Sequence, residues 1–240
     1  MRKLRRSLIL SSVMGFGVFA IANEVVQERL IQAISAVSDL FDLEQVKDKY
    51  QVYYKSFFED PKLLQKKWNY FFGTELAHLS EFHADGCSAF PDGTKEHPTL
   101  WRDCCIEHDL NYWLGGSEED RTKADDRLSG CVEFKIREVY SDQKICDDLV
   151  LGFKESMKAG VVLGGAPYYY SPWRWGYGWN VRRNYLRPDA AAFERARTLL
   201  KTYRHRLETS DTAALTKYGV PTDIPAMLKS VDAFEARWTD

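Results

Sequence analysis

The run Cys104-Cys105-Ile106-Glu107-His108-Asp109-Leu110-Asn111-Tyr112 places two thiols, an imidazole and a phenol beside acidic side chains within nine residues. An imidazole held by a carboxylate is a general base, and a carboxylate beside an oxygen-rich loop suits a hard cation. On a helix, Cys104, Cys105, His108, Asp109 and Tyr112 share one face, spread over an arc of about 140°. Ile106, Leu110 and Trp113 gather elsewhere, where they can pack into other structure. A solvated amphipathic helix has no use for that first set.

The next helical stretch offers the histidine a partner. Ala124, Leu128, Cys131 and Val132 define its inward arc, and Asp125 lies within it, while Asp126, Arg127 and Glu133 point away. A carboxylate on a core face must find a hydrogen-bond partner or shift its pKa. His108 on the neighbouring helix is the natural candidate. Such a bond fixes the tautomer and leaves the other ring nitrogen as a base. The bland reading makes His108 a structural histidine. Zinc is a rival, through Cys104, Cys105 and His108, but adjacent cysteines on a regular helix do not readily chelate one ion. His78, His83, His97 and His205 carry no pattern.

Upstream, Asp85-Gly86-Cys87-Ser88-Ala89-Phe90-Pro91-Asp92-Gly93 is rich in oxygen and turn residues. Asp109 points further around its helix than His108, and calcium takes carboxylates and loop carbonyls together. Asp85 is either such a ligand or a turn residue bonded to its own backbone. The carbonyls of Ser88 and Phe90 are further candidates.

The pattern Cys-Cys-x-x-His-Asp-x-x-Tyr, here Cys104, Cys105, His108, Asp109 and Tyr112, resembles the active-site helix of secreted phospholipases A2. Asp85-Gly86-Cys87 with Pro91-Asp92 resembles the shortened calcium loop of the bacterial and fungal branch of that superfamily. The resemblance covers about residues 83–135, roughly a fifth of the chain. It implies a mainly α fold, with a core of two antiparallel disulfide-linked helices and additional flanking helices. It implies that His108 activates water and that Ca2+ is held by Asp109, the Asp85 carboxylate and the Gly86 carbonyl. In that family the aspartate bonded to the histidine precedes a helix cysteine by six residues, as Asp125 precedes Cys131, and Tyr112 matches the tyrosine supporting it. The implied disulfides are Cys87–Cys105 and Cys104–Cys131, with Cys146 left free or replacing one partner. The implied reaction is hydrolysis of the sn-2 ester at a phospholipid membrane surface. The glycine-rich calcium loop and β-hairpin of the animal enzymes are absent, which favours the compact microbial type. The sequence has no Gly-x-Ser-x-Gly elbow for a serine nucleophile. Two other functions fit the same pattern: a non-catalytic lipid-binding or structural protein, and a hydrolase for another lipid ester.

The surrounding elements read as helices. Residues 24–82 show helical spacing of Val25, Val26, Leu30, Ile31 and Ile34, then of Leu63, Leu64, Trp68 and Phe71, with Pro61 opening a helix. Residues 83–99 read as a loop. Helices are expected over about 100–113, stopped by Gly115-Gly116, from Ser117 with Asp120 as a capping box toward Tyr140, and over about 142–158. Residues 159–188 read as an irregular aromatic segment, followed by helices near 189–208 and 224–238. That segment suits either a membrane interface or simple packing. Residues 165–206 carry nine basic and two acidic side chains, a balance that favours anionic lipid.

The beginning of the chain reads as an export signal. Arg2, Lys3, Arg5 and Arg6 precede an apolar run from Ser7 to Ala22 ending in Ala20-Ile21-Ala22. The run is shorter than the roughly 20 residues of a spanning helix, though an uncleaved anchor fits the same pattern. The division expected is 1–22 signal, 23–82 helical region, 83–158 catalytic core, 159–188 aromatic loop and 189–240 terminal helices. A secreted or periplasmic location follows. The five cysteines, read in that compartment, point to disulfides with one thiol over. The net charge of −2 becomes −6 without residues 1–22, which argues against general nucleic-acid binding.

Overall fold

Each helix start carries its own local cause. Pro61 sits at the first position of α1 (Pro61–Phe72), where its missing N–H costs nothing. Ser117 and Asp120 exchange bonds across the start of α3 (Glu118–Val139), both limbs of the expected capping box. Asp142 caps α4 (Gln143–Gly164) through the Ile145 amide, and Asp189 caps α5 (Ala190–Glu208) through the Ala192 amide. The remaining helices are α2 (Arg102–Leu114) and α6 (Ile224–Ala236). Gly115 ends α2 with φ of 75°, a left-handed conformation that favours glycine. The computed structural model describes residues 61–73, 76–88, 90–168, 170–171, 173–209 and 224–237. The expected signal segment and the expected helix around residues 25–34 lie outside the described residues.

Helix α2 is the centre of the molecule. It packs on α3 and on α6; α3 also packs on α4, and α6 on α5. Contacts between α2 and α3 run in opposite chain directions: Cys104 meets Cys131, and His108 and Tyr112 meet Asp125. The two helices are therefore antiparallel and joined by a disulfide. The apolar side of α2, Ile106, Leu110 and Trp113, is buried against Leu199, Leu200 and Tyr203 of α5 and Met227, Val231 and Phe234 of α6. Beyond the disulfides, Leu128, Val132 and Ile136 of α3 pack with Leu149 and Phe153 of α4, Trp101 and Phe90. Among the described residues the fold is all helix and irregular chain, with one isolated bridge between Leu79 and Trp179. No described helix is long and apolar enough to cross a membrane.

Two boundaries differ from the expectations. The helical reading of residues 24–82 fails after Phe72. Residues 76–82 run non-helically instead, with Leu79 and Phe82 buried and Leu76 exposed. Long-range pairing holds this stretch: Ser80 N–H donates to the Gly178 carbonyl, Asn180 N–H to that of His78, and Trp113 Nε1 to that of Ser80. Helix α4 continues six residues past the expected end at 158, so the irregular segment begins at Gly165. The apolar run Gly160-Val161-Val162-Leu163 extends the helix where glycine content suggested a stop.

The aromatic segment is packed chiefly on the C-terminal end of α2. A helix end leaves carbonyls without intrahelical donors. Here Gly176 N–H reaches the Tyr112 carbonyl at 2.6 Å, Gly178 N–H that of Trp113 at 3.1 Å, and Trp179 Nε1 that of Leu114 at 2.8 Å. Trp175 Nε1 adds the Gly116 carbonyl at 2.8 Å. Trp175 and Trp179 are buried, so these rings complete the core around α2.

Candidate active site

The loop before α2 is built around Asp92. This carboxylate is fully buried, and its Oδ1 accepts the Cys87 N–H at 2.6 Å. The Arg102 guanidinium lies 3.9 Å from Oδ2 and is also buried. Gly86 has φ of 87°, and a Cβ there would collide with the Asp92 carboxylate. Only glycine serves at that turn. Trp101 clamps the far side, donating its backbone N–H to the Asp92 carbonyl and its Nε1 to that of Pro91. The Cys87–Cys105 disulfide then ties the loop to α2 one turn before Asp109, and Cys104–Cys131 ties α2 to α3. These are the two pairings that the resemblance implies. Cys146 is free and buried, its Sγ 3.0 Å from the Tyr140 carbonyl.

Between the disulfide-linked helices, His108 Nε2 lies 2.9 Å from Asp125 Oδ1. Tyr112 donates its hydroxyl to the same oxygen at 2.9 Å. A carboxylate only accepts, so Nε2 carries the hydrogen and Nδ1 the lone pair. The Tyr112 ring lies against the imidazole, centroids 4.1 Å apart, and Trp175 meets its other side edge-on at 4.9 Å. Burial first, then the Asp125 charge, raises the Tyr112 pKa well above the usual tyrosine range. Its hydroxyl therefore remains a donor throughout physiological pH.

Arg121, one turn before Asp125 on α3, is a residue the sequence reading missed. Its Nε donates to the Tyr112 hydroxyl at 3.0 Å and lies 4.0 Å from Asp125 Oδ2. Its two terminal nitrogens donate to the Tyr185 hydroxyl at 2.9 Å and the Val161 carbonyl at 2.7 Å. One guanidinium thus joins α2, α3, α4 and the aromatic segment around the histidine's carboxylate. A cation four residues before a core-face aspartate is the signal that would have found it. Arg121→Gln removes most of these bonds and the charge that faces Asp125. It is expected to lower unfolding free energy by about 1–3 kcal/mol, read as a lower urea midpoint at unchanged slope.

The candidate metal ligands are placed more loosely. Asp85 is buried, with Oδ1 accepting the Ser88 hydroxyl at 3.0 Å. Asp109 is half-buried, and its charge helps to raise the Tyr203 pKa, after burial itself. Among the described residues no group of three or more His, Cys, Asp or Glu side chains is gathered to hold a metal ion. A cage built wholly of side chains is therefore absent there. The oxygen donors present, two carboxylates and the carbonyls of a loop tethered to α2, are the kind that calcium accepts. Zinc is poorly served, because both motif cysteines are consumed in disulfides.

Arg127 and Glu133, expected to point away, both turn onto neighbours. Arg127 donates to the Asn111 side chain at 2.9 Å, and Glu133 pairs with Lys154 of α4. Neither a scan of protein-family models nor searches of curated proteins and of solved structures returned a match.

Proposed function

We propose that this chain is a phospholipase A2-like carboxylic ester hydrolase that cleaves the sn-2 ester of phospholipids, releasing a fatty acid and a lysophospholipid. The observation that carries the reading is the shared oxygen of Asp125, which receives Tyr112 and His108 at 2.9 Å each. An imidazole held this way by its Nε2 offers Nδ1 as a base.

In the proposed reaction His108 Nδ1 takes a proton from water as the oxygen adds to the ester carbonyl. Asp125 stabilises the imidazolium through Nε2, and Tyr112 with Arg121 holds the carboxylate in place. The imidazolium then returns its proton to the departing glycerol oxygen, so one water is consumed and the histidine ends neutral. No acyl-enzyme forms. Asp85, the Gly86 carbonyl and Asp109 are the groups that would hold Ca2+, which supplies Lewis-acid polarisation of the ester carbonyl and a counter-charge for the lipid phosphate.

A phospholipid membrane is the proposed partner. The surface that suits it is α1, which carries Lys62, Lys66 and Lys67 and no acid, and exposes Trp68 and Phe72. Leu76 and Tyr168 are exposed as well, and the Arg182 guanidinium lies about 6 Å from the Phe71 and Tyr168 rings. Aromatic side chains rimmed by cations suit an anionic bilayer surface. The two disulfides support an exported, oxidising compartment.

The test is fatty-acid release from mixed phospholipid vesicles by the oxidised protein, with calcium and with chelator. Release is expected with calcium and should fall to background with chelator. Equal release under both conditions removes calcium from the mechanism. Release only from monoacyl lipids or galactolipids moves the substrate to another ester. No release at all favours a lipid-binding or structural protein.

A further inference from the structure

A second feature lies beside the dyad and is not used by it. A cavity of about 550 Å³ opens where the end of α2, the start of α3, α6 and the Arg187-Pro188 turn meet. Its volume is in the range of small-ligand sites. The bases lining it are Lys123, Arg127, Arg187 and Arg237, against a single lining acid, Asp120. Asp120 and the acids behind the wall do not cancel this set. Glu119 serves Lys123 at 2.7 Å, and Asp120 serves Arg187 at 3.5 Å. Arg127 and Arg237 share one carboxylate, that of Glu107, at 3.8 and 2.8 Å. Arg127 Nε and Arg237 Nη2 are buried without a hydrogen-bond partner. Burial, followed by repulsion from Arg237, lowers the Arg127 pKa. Those two nitrogens are sealed from solvent, but both side chains are about a third exposed, and two cations over one carboxylate leave a net positive charge that an anion in the cavity would meet.

The rest of the wall is of the opposite kind. Trp175, Phe193, Phe234 and Leu114 supply apolar surface to the same space. A free phosphate would use only the cations, and a neutral apolar molecule only the rings. A ligand with an anionic head on a hydrocarbon chain uses both.

We infer that this cavity binds a single-chain amphiphilic anion, its head on Arg127, Arg237, Lys123 and Arg187 and its chain on Trp175, Phe193 and Phe234. The head is a carboxylate or a phosphate monoester, either of which these cations can hold. The site does not depend on hydrolysis by His108. Two side chains separate it from the dyad, because Trp175 lines the cavity and meets the Tyr112 ring, which in turn meets His108 and Asp125.

The experiment is calorimetric titration of the full, oxidised protein with decanoate and with decyl phosphate below their micelle thresholds. Neither carries a carboxylic ester for the proposed activity to consume. Decanol and inorganic phosphate are the half-ligand controls. One saturable site is expected, with either control at least about tenfold weaker, a difference of about 1.4 kcal/mol. Arg127→Gln with Arg237→Gln should weaken the anions about tenfold or more and leave decanol unchanged. These two residues also hold Glu107. Should that variant fail to fold, Lys123→Gln with Arg187→Gln, on the exposed rim, should weaken the anions about threefold or more, in line with the loss of partly exposed charges. Binding of decanoate alone identifies a fatty carboxylate as the ligand, and of decyl phosphate alone a monoacyl phosphate. Decanol binding as tightly as the anions, or anion binding unchanged in the folded variants, overturns the proposal. A protein that binds decanoate but releases no fatty acid from vesicles refutes the hydrolase and leaves this site standing.

Discussion

His108→Ala is expected to lower fatty-acid release by at least about 10²–10⁴-fold, the contribution of a positioned general base. The imidazole is buried, and its named polar partner is Asp125, so the substitution removes the base while the two disulfides keep the helices in register. Asp125→Asn should also cost heavily, for a different reason. The amide can still accept from Tyr112, but it no longer stabilises an imidazolium, and its NH2 group can hold the histidine in the wrong tautomer. Tyr112→Phe should cost far less, because Asp125 keeps the histidine and the nearby Arg121. The graded order, with His108 and Asp125 well above Tyr112, is what distinguishes a dyad from a merely structural cluster. Initial rates at saturating lipid read the effect, with the urea midpoint as a control for folding. A folded His108→Ala protein with activity within about threefold of the parent defeats the general-base mechanism, since positioned bases contribute far more than that.

The part of this site that was legible in the sequence is the part governed by helical period. Residues four apart on α2 and a carboxylate among apolar neighbours on α3 meet because two antiparallel helices bring regular faces together. That reasoning reaches His108, Tyr112 and Asp125. The same period places Arg121 one turn before Asp125, but not its reach to Tyr185, 64 residues away in a segment with no period. The same limit explains residues 76–82. The helical reading was carried there from the spacing at 63–71, but the Trp113 ring N–H of α2 and the chain at 178–180 claimed its backbone. The aromatic segment was read as either interface or packing. Its Trp175 and Trp179 are packed in the core, while its Tyr168 is exposed, as are Trp68 and Phe72 of α1. Where the apolar side of Trp175 goes depends on which helix end lacks donors, and composition carries no such information. The cavity beyond it is equally invisible in sequence, because its four cations come from three separate stretches of chain.

Removing the Cys104–Cys131 disulfide, by serine at both positions, is expected to cost about 3–4 kcal/mol of stability at 25 °C. The bridge closes a loop of 27 residues, and the loop-entropy relation for that length gives a value near 3.6 kcal/mol. Both sulfurs must be replaced, because a single serine leaves a thiol to exchange with Cys87, Cys105 or Cys146. Chemical denaturation of the folded double variant measures the cost as a shifted midpoint. Replacing Cys87 and Cys105 should cost slightly less, about 3 kcal/mol, since that loop spans 18 residues. The two losses should differ more in function than in stability. The first bridge ties the helix bearing His108 to the helix bearing Asp125, four residues from the first and six from the second. Its loss should lower the maximal rate of the folded fraction by loosening the pair. The second bridge joins α2 to the loop holding Asp85 and Gly86 and does not touch α3. Its loss should raise the calcium concentration needed for half-maximal rate and leave the maximal rate nearly unchanged at saturation. If both variants lose maximal rate alike and share one calcium requirement, the loop is not a separate metal-binding element, and Asp85 returns to being a turn residue bonded to Ser88.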